Sequence, residues 1–431
     1  MKPHHWLSAC VIAGSLAGGP VWAQPATSSE GTRAILPPAA AAAAAPGLMT
    51  GGLTLRAALD GAWQRAVAAR ESDGQRRRAD ADRAAAGSFW AAPPSVALSH
   101  RDDRLHGNAG KRETEIGVAV PLWLPGQRAA RAGTADAAAA LAQAAEPAAR
   151  LRLAGELREA AWQLAAAQAE LAQADTQARS ARQLADDVER RVRAGDLARA
   201  DALAAQAEHL AAVALQSDLR QRRRAAHALW TLLTGLTAAP DLTAAATIDG
   251  APGAAAAHPE LQLAGQSTEL ARQRVALMRR SRRDAPELTV AVKQDVSGRA
   301  EASQGSLVVG LRLPLGTDDR NRPLEAAALS ELDVAQTHEQ RLRERLDSDI
   351  AAARDALRSA ETQLDTETAR ARLLRERAAL IDKSFRAGET PLPDLLRALA
   401  AAAQADSAAA RQNAGLGLAR ARLQQSLGLL P

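Results

Sequence analysis

The spacing of apolar residues changes in a fixed order along this chain. In residues 54–87 apolar side chains recur at every fourth position, which predicts a helix with a stripe of Leu55, Leu59, Trp63 and Val67. Apolar and small or polar residues then alternate in two segments, which predicts a β-hairpin with a polar loop over 99–112. Its apolar positions are Val96 and Leu98, then Ile116, Val118 and Val120.

A very long helix is predicted next, over residues 127–192. Its leucines at 157, 164 and 171 are seven residues apart, which is typical of coiled-coil packing. At 1.5 Å per residue this helix would be about 100 Å long, although Pro147 should kink or interrupt it. Gly195 suits the left-handed conformation at a helix C-terminus, and a returning helix is predicted over 198–236.

The same pattern occurs a second time. Arg193-Ala194-Gly195 and the acid after it recur as Arg386-Ala387-Gly388 and an acid, an offset of 193 residues (386 − 193). This offset also places leucines 157, 164 and 171 on Ile350, Leu357 and Leu364. The second copy predicts a helix over 258–283, strands around 288–292 and 307–313 flanking a polar loop over 293–305, a long helix over 323–385 and a returning helix over 391–428. Ordinary solenoids, whose periods are about 20–50 residues, are excluded.

The repeats set the domain boundaries. Residues 1–23 read as an export signal with a small-x-small cleavage site before Gln24, and 24–52 as a flexible Pro- and Ala-rich lead-in. Residues 53–236 form the first repeat, 237–257 a linker and 258–431 the second repeat. The alternative is a lipoprotein in which Cys10 is lipidated, but most of the apolar stretch follows Cys10. Cleavage after Ala23 would leave no cysteine, and therefore no disulfide or Cys-ligated metal.

Composition narrows the function further. Lys and Arg (54) nearly balance Asp and Glu (49), with the signs interspersed along helices, so solvated helix faces explain the charge and no nucleic-acid partner is expected. One loop holds His100, Asp102, Asp103 and His106, which could bind a divalent metal, but a solvated loop without fixed geometry explains them better. Nucleophile motifs are missing, so we expect neither an enzyme nor a cofactor.

Four strands per chain cannot close a transmembrane barrel. Single-chain barrels need at least about eight strands, and each unpaired backbone group in lipid costs several kcal/mol. If the hairpins enter a membrane, several chains must therefore contribute to one barrel. A soluble periplasmic coiled-coil scaffold would explain the helices and the export signal, but it leaves the strand pairs unexplained.

The chain resembles the outer-membrane efflux protein family, the TolC-like channels, over about residues 53–430. The resemblance is carried by residues 121–131 (PLWLPGQRAAR), by residues 313–322 (LPLGTDDRNR) and by the two Arg-Ala-Gly turns. The first two segments look most like the heavy-metal efflux (CzcC-type) branch.

The resemblance implies a mainly α fold with a small β part. Its duplicated unit is helix, β-hairpin, long helix, turn and helix, and three chains would share a twelve-strand membrane barrel and a coiled-coil tunnel about 100 Å long. It implies the exit duct of a tripartite efflux system in the outer membrane of a Gram-negative bacterium, extending into the periplasm. The implied partners are two further copies, outer-membrane lipid, a periplasmic adaptor and an inner-membrane RND-type pump. The cargo could be heavy-metal cations, organic compounds or, as in type I secretion, proteins.

Two groups of residues are the candidate sites. By the resemblance the turns dock the adaptor, through Arg193, Gly195, Asp196, Arg386, Gly388 and Glu389. The simpler alternative is that each Arg is a cation favoured at a helix C-terminus. Asp394, and with less support Asp201, would lie at the periplasmic entrance, although Arg397 stands where some family members carry a second acid. The alternative for both is an acid that stabilises a helix start.

Overall fold

The computed structural model describes residues 53–105, 107–242 and 257–431. The predicted export signal over 1–23 and the predicted lead-in over 24–52 lie outside the described residues. So do Cys10, His106 and most of the predicted linker. The helices are α1 (Leu55–Arg65), α2 (Val67–Ala86), α3 (Gln127–Ala194), α4 (Arg199–Thr234), α5 (Pro259–Arg280), α6 (Asp318–Arg386) and α7 (Leu392–Ser426). The strands are β1 (Ser95–Asp102), β2 (Arg112–Pro121), β3 (Glu287–Val296) and β4 (Gln304–Arg312). The predicted fold class, mainly helical with four strands, is confirmed.

The prediction of a single helix over 54–87 is wrong. The backbone is extended at Ala66 (φ −69°, ψ 136°), which separates α1 from α2. Apolar residues spaced by four drift around a helix of 3.6 residues per turn, so one straight helix cannot bury the whole stripe. Trp63 precedes the break, and Val67 follows it with 83% of its surface exposed. The two short helices therefore bury different faces.

Pro147 does not interrupt α3, which is helical from Gln127 to Ala194. Both Pro147 and Gln143, whose carbonyl loses its helical hydrogen bond, lie on the exposed side. Water can reach that carbonyl, so the helix tolerates the proline. The second long helix also differs from the prediction, since α6 begins at Asp318 and includes Pro323 within its first turns.

Small side chains dominate the helix contacts. α3 packs against α4, α5 and α7, and α6 packs against α5 and α7. Among the described residues the largest fully buried side chain is Trp230, whose Nε1 donates to the carbonyl of Ala238 at 2.9 Å. Around it pack Leu55, Ala58, Leu59, Ala154, Leu157, Ala160, Ala161 and Leu164. No described helix has an apolar stretch long enough to cross a bilayer.

A buried arginine ties the two repeats together. Arg158 of α3 donates to Gln425 Oε1 at 2.6 Å and to the carbonyl of Leu429 at 2.8 Å. Burial lowers the pKa of Arg158 to about 10, because the charged guanidinium is removed from water. The last residues of the chain are thereby fixed to the middle of the first long helix.

The strands form one antiparallel sheet in the order β1-β2-β3-β4. The pairing of β2 with β3 joins the first repeat to the second. The strands extend beyond the predicted ones, because Ser99, His100 and Asp102 continue the ladder opposite Glu115, Thr114 and Arg112. The loops are therefore shorter than predicted, at 103–111 and 297–303.

Candidate functional sites: the sheet and the two helical turns

One face of the sheet is apolar and exposed. The strand register aligns Val96, Val118, Val290 and Val309 in one row and Leu98, Ile116, Val292 and Leu307 in the next. These eight side chains are 44–71% exposed. A contiguous apolar surface of this kind marks contact with lipid or with another protein.

The opposite face carries small and charged side chains. Gly117 and Ala291 face each other across β2 and β3, and a Cβ at Gly117 would lie 2.7 Å from that of Ala291. Further along the same face, Lys293 Nζ lies 2.8 Å from Glu113 Oε1. Apolar residues on one face and polar ones on the other are typical of strands between lipid and a water-filled lumen. Among the described strands, β1 and β4 each have one edge without a partner.

The polar loop after β1 is held by hydrogen bonds and ion pairs of the residues at its start. Asp103 accepts backbone hydrogen bonds from Ala109 (2.8 Å) and Gly110 (3.2 Å), and His100 Nδ1 lies 2.9 Å from Thr114 Oγ1. Asp102 pairs with Arg104 at 3.1 Å. His106 lies outside the described residues, and no cluster of three possible metal ligands occurs among the rest. His100 and Asp102 thus lie at the end of β1, and Asp103 shapes the loop that follows.

The two helical turns have the same geometry. Gly195 (φ 88°) and Gly388 (φ 80°) adopt the predicted left-handed conformation. In each turn the N–H of the following acid, Asp196 or Glu389, donates to a carbonyl five residues earlier, at 2.9 and 3.0 Å. This hydrogen bond closes a helix C-terminus in the Schellman arrangement. The repeat thus extends to individual backbone bonds.

A shared apolar cluster places the turns side by side. It consists of Val188, Ala205, Phe385, Leu392 and Leu395, each at most 3% exposed. The guanidinium of Arg191 lies over the ring of Phe385, 5.0 Å from its centroid. The turns of both repeats therefore form one end of the long helices, while the sheet lies beyond their other end.

The candidate docking cations are on the surface of this end. Arg193 lies 3.5 Å from Glu189, and Arg386 lies 2.8 Å from Asp382. Both arginine side chains are about 70% exposed. Exposed ion pairs contribute little to stability, about 0–1 kcal/mol, so these arginines remain accessible to a partner at low cost.

The two candidate entrance acids have different local roles. Asp201 Oδ2 accepts a hydrogen bond from the N–H of Ala198 at 3.2 Å, which caps the start of α4. Asp394, at the equivalent place in α7, forms an ion pair with Arg397 at 3.0 Å. Capping accounts for Asp201, whereas Asp394 is held next to a cation that is itself 78% exposed.

A cleft of about 370 Å³ lies near the turns, between the α3–α4 helix pair and the α6–α7 helix pair. It was not predicted from the sequence. Its charged lining is Glu208, Arg375, Asp382 and Asp406, with Arg375 Nε 3.1 Å from Asp406 Oδ1. Burial raises the pKa of Asp406, although Arg375 opposes the shift. These residues come from three different helices, so no spacing within one segment could have indicated the cleft.

No family model matches the sequence, and no curated protein matches it either. Solved structures match in fold. One is CusC, whose crystal structures concern conformational changes during folding and transmembrane channel formation. It has 14% identity and a TM-score of 0.74 over 87% of this chain and 92% of CusC. The Campylobacter jejuni outer-membrane channel CmeC has 13% identity and a TM-score of 0.71 over 87% and 85%. The Vibrio cholerae outer-membrane protein VceC has 15% identity and a TM-score of 0.70 over 87% and 96%.

This chain has the fold of the TolC-like channels. The match covers about nine-tenths of the chain, and similar structures such as CmeC and OprN are outer-membrane channels. In the TolC-like fold seen here, the exposed apolar sheet and the paired turns are separated by the length of α3, about 100 Å for 68 residues.

Proposed function

We propose that this chain is the outer-membrane exit duct of a tripartite efflux system and works as a homotrimer. The observation that carries the proposal is the four-stranded sheet, with one exposed apolar face and two unpaired edges. Three copies supply twelve strands, so each open edge pairs with the next chain and no backbone group is left unpaired in lipid. The repeats over 53–236 and 258–431 then build one membrane wall and one tunnel wall.

The proposal gives each end of the molecule a partner. The apolar sheet face contacts outer-membrane lipid, and the turns project about 100 Å into the periplasm. There the surface around Arg193, Gly195 and Asp196, and around Arg386, Gly388 and Glu389, docks a periplasmic adaptor. The adaptor connects the duct to an RND-type pump in the inner membrane, and the duct conducts its cargo passively. The export signal predicted over 1–23 supports this location.

A charge placed on each face of the sheet tests the proposal. Val290→Lys puts a cation on the apolar face and should lower outer-membrane insertion, at a cost of about 2–4 kcal/mol near the bilayer centre. The matched control is Thr289→Lys, which puts the same charge on the opposite face one residue away and should insert normally. Detergent-free fractionation measures both. Equal effects, or a wild-type chain found in the periplasmic extract, would favour a soluble scaffold instead.

For the cargo we propose heavy-metal cations, supported by the likeness of residues 121–131 and 313–322 to the heavy-metal branch. The chain should restore growth on Zn²⁺ or Cd²⁺ in a strain that has its cognate pump and adaptor but no duct. Restored tolerance only to an organic dye such as ethidium, or only secretion of a protein, would assign the duct to the corresponding alternative.

A further inference from the structure

The long helices form a layer with two free flanks. α4 packs mainly against α3, α3 also packs against α7, and α7 packs against α6. By these contacts α4 and α6 are the outer helices of the two helix pairs, and their buried sides both line the cleft and the apolar cluster near the turns. α4 also contacts α1 and α6 also contacts α5. The described contacts place α1 beside Trp230 near the far end of α4, and α5 beside Glu325 and Glu331 in the sheet-proximal part of α6, so neither lies beside the turn-proximal parts of α4 and α6.

The outer flank of α4 carries two leucines. The buried side of this helix has residues seven apart, Ala205, Ala212 and Leu219, each at most 7% exposed. Leu203 and Leu210 are also seven apart, and they are 59% and 62% exposed. Each lies two positions before a buried residue, a rotation of about 200° around the helix, so the leucines point away from the rest of the chain.

The outer flank of α6 repeats this arrangement. Its buried side has Ala371, Ala378 and Phe385, each at most 5% exposed. Leu373 and Leu380 are seven apart, and each is 59% exposed. They too lie two positions from buried residues, on the side of α6 that faces away from α7.

The two leucine pairs lie at matching heights above the turns. Leu203 is four residues after the start of α4 at Arg199, and Leu380 is six residues before the end of α6 at Arg386. Leu210 and Leu373 are eleven and thirteen residues from the same points. α4 runs away from one turn and α6 runs towards the other, so these counts measure height above the turns. Leu203 and Leu380 therefore differ in height by two residues, about 3 Å, and so do Leu210 and Leu373.

We propose that these four leucines form the seam between neighbouring copies, with Leu203 against Leu380 and Leu210 against Leu373 of the next chain. The contact joins unlike edges of identical chains, so every chain uses both of its edges once the ring closes. Heptad spacing on both helices is what packing of one long helix on another requires. The seam rests on the proposed ring of chains, and it specifies which helices seal the tunnel wall near the turns.

Cysteine cross-linking tests the seam directly. The only cysteine is Cys10, so a Cys10→Ser chain provides a clean background. Leu203→Cys with Leu380→Cys should form disulfides between copies, giving covalent dimers and trimers on a non-reducing gel. A disulfide needs Cα atoms about 4.4–6.8 Å apart. The mismatched control, Leu203→Cys with Leu373→Cys, offsets the heights by nine residues, about 13 Å, and should stay monomeric on the gel.

The trimer itself is measured separately by light scattering of the uncross-linked variants. Trimers that cross-link through the matched pair and not through the mismatched pair support the seam. Trimers that cross-link through neither, or through both equally, overturn the seam and leave the exit duct standing. Monomers in mild detergent overturn both proposals. Cross-linking of Leu203→Cys to the adaptor in place of a second copy would assign this flank to the adaptor and overturn the seam.

Discussion

Replacement of a turn glycine by a larger residue tests the effect of backbone strain alone, without steric clash. Gly195 and Gly388 both have positive φ, and an added Cβ would meet no atom within 4 Å at either position. The cost of Gly388→Ala is therefore conformational only, about 1–2 kcal/mol for an L residue in the left-handed region. Valine should cost more, because a β-branched side chain is a strong outlier at positive φ.

The strain should appear first in the hydrogen bonds that close the turn. The N–H of Glu389 donates to the carbonyl of Ser384 at 3.0 Å, and this bond depends on the left-handed glycine. A local loss of 1–2 kcal/mol corresponds to a roughly 5–30-fold rise in opening. Hydrogen exchange at the amide of Glu389 should therefore rise by that factor in Gly388→Ala, and adaptor cross-linking and efflux should fall in Gly388→Val. Trimers should persist, since the sheet is about 100 Å away.

Two controls sharpen this experiment. Gly388→Asn keeps a residue that tolerates positive φ and should behave nearly as wild type. Gly415→Ala adds the same methyl group to α7, also with no atom within 4 Å but without positive φ, and should stabilise the helix by about 0.5–1 kcal/mol. If Gly388→Val exchanges and exports like Gly388→Asn, the left-handed turn is not required and the turns are only connectors.

Three further outcomes are expected. Pro147→Ala should raise the unfolding temperature of the trimer, because it restores a helix hydrogen bond at an exposed site where proline costs up to about 3 kcal/mol relative to alanine; an unchanged or lower value would show that α3 uses the proline. Asp394→Asn should weaken cation selectivity and block by multivalent cations in bilayer recordings, since three copies would gather at the entrance; unchanged currents would place Asp394 outside the lumen. His258 caps α5 through Nδ1, which accepts from the N–H of Glu260 at 3.2 Å, and burial lowers its pKa below 6.5 although Glu260 opposes the shift. Neutral His258 is therefore favoured in the fold, and stability should fall as pH drops through about 6.5 towards the lower folded pKa; His258→Asn, a good cap without titration, should remove this loss in thermal unfolding scans, and a loss that persists would point to another group.

The elements with a strong periodic signal could be predicted from the sequence. Alternation at Ile116, Val118 and Val120 identifies a strand and its apolar face, because side chains on a strand alternate strictly between its two sides. The 193-residue offset likewise locates both turns, since Gly195 and Gly388 are required by backbone geometry that few other residues adopt.

Features that depend on distant parts of the chain could not be predicted. The break at Ala66 has no local signal, because alanine is the best helix former and the cause is the different faces that α1 and α2 bury. The tolerance of Pro147 depends on its lying on the exposed side of α3. By contrast, the different contacts of Asp201 and Asp394 are local. Asp201 accepts from the N–H of Ala198, whereas the equivalent Pro391 has no N–H, and Asp394 pairs with Arg397 three residues on.

The contact between β2 and β3 is the one place in the described sheet where the two repeats meet. A half-length ancestor, with one hairpin and one pair of long helices, would need six copies to supply the twelve strands of the proposed duct. Fusion of two halves places every second contact between neighbouring halves, such as β2 with β3, within one chain. The effective concentration of the two halves for each other then no longer depends on expression level. Fusion also relaxes six-fold equivalence to three-fold, and the two halves become free to diverge in the gene. Asp201 and Asp394, which occupy equivalent positions but make different contacts, are an example of such divergence.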